Sequence, residues 1–133
     1  MAERSPAVLE LEPDTMSNVS TARSFVRRTL EAVAPDEVVA DLQLATSELV
    51  TNAFEHGEPH TVVVAVEVAD GCASVTIKSR QRAASRLADV SEWSIAGPGR
   101  LAGRGLGIVR AIADDVHVAS KGDALEIAVY RKW

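Results

Sequence analysis

The stretch from Asp36 to His56 constrains the fold most. Apolar residues recur at Val38, Leu42, Ala45, Leu49 and Ala53, the three- and four-residue spacing that builds one buried face of an α-helix. Pro35 precedes it, and Asp36 falls where a first-turn carboxylate favours the helix dipole. Glu48, Asn52 and Glu55 recur with the same period, so they share a stripe about a quarter-turn from the centre of the apolar face. A carboxylate and an amide one turn apart, beside a core face, are placed to point into a pocket over a sheet. Glu48 would orient or deprotonate a nucleophile, and the Asn52 oxygen would ligate a hard cation such as Mg²⁺. The same spacing also describes the solvated flank of an ordinary amphipathic helix. Periodicity leaves both readings open.

The rest of the chain supplies the layer this helix must cover. Ala7 to Leu11 alternates as a short edge strand ended by Pro13. Ser17, Ser20 or Thr21 caps a helix expected to run to about Ala34, with Ala22, Phe25, Val26, Leu30 and Val33 inside. Arg23, Arg27 and Arg28 lie on its exposed side, as a solvated face or a contact for a partner or phosphate. After Gly57 the period shortens to two. Thr61 to Val68 and Cys72 to Lys78 form a hairpin across Ala69-Asp70-Gly71, with Val75 and Ile77 inward. Leu106 to Ala113 reads as a short helix. Val116 to Ser120 and Ala124 to Lys132 form a last hairpin across Lys121-Gly122-Asp123. These elements predict an α+β fold: a two-layer sandwich with a mixed, mostly antiparallel sheet and helices on one face.

At 133 residues and 47% hydrophobic content, the chain is expected to form one domain over 1–133. Aromatic residues are 4% of it, so Val, Ala, Leu and Ile must build the core. A net charge of −5 argues against direct nucleic-acid binding. The single Cys72 excludes an internal disulfide and a Cys-based metal cluster. His56 reads as a helix-end residue, and neither His60 nor His117 suggests a metal ligand set. No apolar leader or membrane-length run occurs, so no membrane association and a cytoplasmic location are expected.

The connection 79–103 is long for so small a domain, a length that usually signals function or disorder. Around it, Lys78, Arg80, Arg82, Arg86, Arg100, Arg104 and Arg110 make up seven of the 14 Lys and Arg residues, offset by Asp89 and Glu92. Its Ala83 to Leu87 portion permits a helical turn, which Gly97-Pro98-Gly99 would not continue, and Trp93 offers a contact, as does Trp133 at the end of the chain. Gly103, Gly105 and Gly107 then precede a helix. Glycines there let backbone N–H groups approach a polyphosphate, and the helix N-terminus adds partial positive charge. Glycines also simply turn chains.

Glu48-Leu49-Val50-Thr51-Asn52-Ala53-Phe54-Glu55-His56-Gly57 resembles the N box of the GHKL (Bergerat-fold) ATPases, and Gly103-Arg104-Gly105-Leu106-Gly107-Ile108 resembles their second glycine box. Within that family the chain is most similar to the anti-sigma-factor serine kinases of the RsbW and SpoIIAB type. The resemblance implies ATP and Mg²⁺ as cofactors, Asn52 as the Mg²⁺ ligand and Glu48 as the residue activating a substrate serine. It implies phosphate contacts from Gly103, Arg104, Gly105, Leu106 and Gly107, with 79–103 as a lid-like loop. It also implies a sigma factor or an anti-anti-sigma antagonist as partner, and a homodimer. The chain departs from the family at the first glycine box: Ser79, Gln81 and Ala83 stand where Asp-x-Gly-x-Gly is expected. In the family that Asp accepts a hydrogen bond from the adenine amino group, so ATP binding is expected to be weak or absent. Two functions follow. One is a partner-binding regulator with a degenerate nucleotide site; the alternative is an active ATP- and Mg²⁺-dependent serine kinase.

Overall fold

The computed structural model describes residues 6–13, 15–56, 60–80 and 105–133. They form strand β1 (Ala7–Leu11), helices α1 (Asn18–Leu30) and α2 (Asp36–His56), strands β2 (Val62–Ala69) and β3 (Cys72–Arg80), helix α3 (Gly105–Ile112), and strands β4 (Asp115–Lys121) and β5 (Ala124–Lys132). The strands make one sheet in the order β1-β2-β3-β5-β4. Among the described residues every neighbouring pair is antiparallel, in keeping with the expected α+β fold and its mostly antiparallel sheet. The cause is local for β2–β3 and β4–β5. Each is joined by a tight turn whose glycine takes positive φ, Gly71 at 68° and Gly122 at 62°, and a turn that short can return the chain only alongside itself. At Gly71 an added Cβ would also lie 2.9 Å from the Trp133 carbonyl oxygen, because the Trp133 N–H donates to Gly71 O at 2.9 Å.

The register sets the inward face. Val64 pairs with Ile77, Val66 with Val75, Val75 with Val129 and Ile77 with Ile127. With a period of two, these residues and Val62, Ala73 and Leu125 face the helices and are buried. Val38, Leu42, Ala45, Leu49 and Ala53 meet them from α2, all buried as the helical period requires. The α2 helix starts where Pro35 O accepts the N–H groups of Val38 and Val39, and Asp36 and Glu37 supply acid to its first turn.

Helix α1 buries Ala22, Val26 and Leu30 but ends sooner than periodicity suggests. The last intrahelical-type bonds, from Val33 and Ala34 N–H, both return to Leu30 O, and the chain then turns toward Pro35. Val33 is therefore 43% exposed rather than inside. Ser17 occupies the N-cap position without a side-chain capping bond; its carbonyl instead accepts from Thr21 N–H and Ser20 Oγ.

Candidate functional site

The stripe on α2 divides as it passes from core to surface. Asn52 is 6% exposed, Glu48 is half-buried and Glu55 is exposed. The structure thus brings Glu48 and Asn52 together at the edge of the core and leaves Glu55 outside. Asn52 is buried at some cost. Among the described residues its Nδ2 has no hydrogen-bond partner, and an unpaired buried amide donor costs about 1–3 kcal/mol. A helix needing only a packed residue there would place an apolar one.

Helix α3 packs against α2, with Leu106, Gly107 and Val109 buried. Its first residue meets the stripe directly: a Cβ built on Gly105 would lie 2.5 Å from Glu48 Oε2 and 3.4 Å from Glu48 Cβ and Cδ. Glycine at 105 leaves the space that the Glu48 carboxylate fills. Of the expected phosphate-contacting residues, the structure therefore sets Gly105 beside Glu48 of the α2 stripe, with Leu106 and Gly107 buried on the same helix. Gly103 and Arg104 lie outside the described residues. So do Gly57, Gln81, Ala83 and Trp93, the turn at 83–87, Gly97-Pro98-Gly99, and the expected lid-like loop apart from Ser79 and Arg80.

Ser79 closes the inward row of β3. It is 8% exposed and pairs with Leu125 on β5. Its side chain is a neutral hydroxyl, able to donate and accept.

Arg131 fixes how α2, α3 and the sheet meet. Its side chain is 16% exposed; Nε donates to Asp41 Oδ2 of α2 at 3.0 Å, and a terminal nitrogen donates to Asp114 Oδ2 at 3.0 Å. Asp114 lies just after α3 and also accepts the Lys132 backbone N–H at 2.6 Å. That backbone bond first, and the Arg131 side chain second, hold the Asp114 carboxyl below the usual carboxylate range. The same pairing raises Arg131.

Two residues of this region were silent in the sequence. Arg131 sits in an alternating strand whose partners are set by three-dimensional register. His60 accepts a hydrogen bond at Nε2 from the Arg80 backbone N–H at 2.7 Å, a role that a search for metal ligands does not reach. Among the described residues no group of three or more His, Cys, Asp or Glu is placed to hold a metal, and no helix is long and apolar enough to cross a membrane.

The sequence matches the histidine kinase-like ATPase domain family over residues 12–129. No curated protein matches it. Among solved structures, it is similar to the RsbU and RsbW domains of a protein from Mycobacterium tuberculosis, at 22% identity and a TM-score of 0.66. That match covers 95% of this chain but 32% of the other, so this chain spans about a third of that protein's length. It is also similar to the SiaB–SiaC complex from Pseudomonas aeruginosa, at 16% identity and a TM-score of 0.69, covering 94% of this chain and 89% of that one. At these identities the two structures share the fold.

Proposed function

The chain belongs to the histidine kinase-like ATPase domain family, and we propose that within it the protein is an anti-sigma-factor-like regulator. It binds a sigma factor, an anti-anti-sigma antagonist, or both, and its nucleotide site is weakened on the base side. The observation that carries this reading is the asymmetry of the site. On one side stand Glu48, the unpartnered Nδ2 of buried Asn52, and the glycine helix start at Gly105. On the other, Ser79 ends the inward row of β3 where the resemblance calls for a carboxylate.

This donor set fits a polyphosphate with Mg²⁺ better than it fits a whole nucleotide. Asn52 would hold the cation through its Oδ1 and offer its unpartnered Nδ2–H to a phosphate oxygen, and Gly105, Leu106 and Gly107 would present backbone N–H groups to phosphate oxygens. Bound ATP would supply a transferable phosphoryl group. Ser79 would offer the adenine amino group a neutral acceptor, and exchanging a charge-assisted bond for a neutral one costs about 1.5 kcal/mol or more, roughly tenfold in affinity. The names of the two similar structures, an RsbW domain and a SiaB–SiaC complex, support a search among protein partners of that class. The resemblance adds the expectation of a cytoplasmic homodimer, and on sequence grounds the cationic stretch 79–103 is assigned to covering the nucleotide.

The intact placement of Glu48 beside Gly105 favours a second reading, a serine kinase in which Glu48 activates the substrate hydroxyl. Capture and phosphate-transfer assays against sigma factors and their antagonists separate the two. Under the regulator reading, wild type and Glu48→Ala capture a partner equally and neither transfers phosphate. Transfer by wild type that is lost in Glu48→Ala would replace it with the kinase reading.

A further inference from the structure

We propose that His60 is a proton-sensitive latch on the end of β3, holding Arg80 and the adjoining Ser79 in place while its imidazole is neutral. The β2–β3 ladder runs from the Ala69–Cys72 pair to the Val63–Lys78 pair. Arg80 lies two residues past its end, with Ala124 of β5 as its ladder partner on the other side. On the β2 side the acceptor for the Arg80 N–H is a side chain, His60 Nε2 at 2.7 Å. The imidazole thus extends the ladder by one bond, at the point where β3 carries Ser79 into the buried row.

That bond has a chemical condition. An imidazole nitrogen accepts only while it carries no proton. In this geometry Nε2 must be bare and any ring proton must sit on Nδ1. When Nε2 is protonated, two N–H groups face each other at hydrogen-bond distance and the bond is replaced by repulsion. The charged surroundings are mixed in sign. Arg80 pairs with Asp123 of the β4–β5 turn at 3.6 Å. Glu12, after β1, accepts from Thr61 Oγ1 at 3.1 and 3.3 Å. The latch does not require the nucleotide reading to hold.

Nuclear magnetic resonance on the whole protein tests it, with the pH lowered through the histidine titration. In wild type, the His60 ring signals and the Arg80 and Ser79 amide signals are expected to move with one shared midpoint. Over the same range the Arg80 amide should lose about tenfold of its exchange protection, after correction for intrinsic rates, as befits the loss of one hydrogen bond. His60→Gln presents an amide oxygen that accepts at every pH, so the step at Arg80 and Ser79 should vanish. His60→Ala should show the unprotected Arg80 amide at high and low pH alike. Arg80 and Ser79 amides that stay still while His60 titrates, or that titrate equally in His60→Gln, would overturn the latch.

Discussion

Replacing Asn52 with leucine should make the protein more stable, an outcome opposite to that expected for a structural asparagine. Asn52 is 6% exposed and its Nδ2 has no partner among the described residues. Removing an unpaired buried donor recovers about 1–3 kcal/mol. Leucine also exceeds asparagine in helix propensity by roughly 0.5 kcal/mol. Against this stands the larger side chain, whose overpacking costs about 1 kcal/mol in a tight site. The net is a stabilisation of about 1–2 kcal/mol, and for a domain of this size a rise in Tm of about 3–8 °C. Thermal and urea unfolding of wild type and Asn52→Leu measure it. The same samples, melted with and without MgADP, should show any ligand-induced rise in wild type disappear in the variant. A fall in Tm for Asn52→Leu without ligand would show the opposite: the amide would then be satisfied within the protein, and Asn52 would be a packing residue.

Gly105→Ala should leave stability within about 1 kcal/mol, because the group it meets is the end of the flexible Glu48 side chain, 2.5 Å from the new Cβ. The Glu48 carboxylate must move, which its ¹³C chemical shift reports; in a kinase, a displacement of that size would lower turnover by about 100-fold. An unmoved Glu48 signal would contradict the contact. Asp114→Asn tests the Arg131 clasp through pH. A carboxyl whose folded-state value is depressed contributes stability above its ordinary range and loses it as the pH falls through and below that range. Wild-type stability should therefore fall more steeply than that of the variant in acid, as urea midpoints at successive pH values would show; parallel curves would count against it. Ser79→Asp should raise ATP affinity by about tenfold or more, measured by calorimetry, and unchanged affinity would remove Ser79 from the base side of the site.

Much of this fold is legible in the sequence. The α2 helix runs over the residues its period marked, Asp36–His56, because five apolar residues on one face have a single way to be buried. The hairpins followed from alternating valines on either side of glycine turns. Short-range pattern was less reliable where a tertiary turn competed with it. Val33 continues the α1 period, yet the chain must leave the helix after Leu30 to reach Pro35. In the site, sequence period paired Glu48 with Asn52 but could not separate them from Glu55, since exposure changes as α2 emerges from the core. The Gly105–Glu48 fit, the Arg131 clasp and the His60–Arg80 bond depend on strand register and helix packing across many residues. The clasp joins Asp41 to Arg131, 90 positions apart. No local period encodes that.

Titration calorimetry with ATP and with ADP, each in Mg²⁺, measures both halves of the proposed regulator's site, a phosphate side that persists and a base side that has weakened. Binding weaker than about 100 µM is expected for both nucleotides, abolished by Asn52→Ala, with partner capture unchanged by the same substitution. ATP binding at about 1 µM or tighter would contradict it, and the serine-kinase reading would then stand in its place.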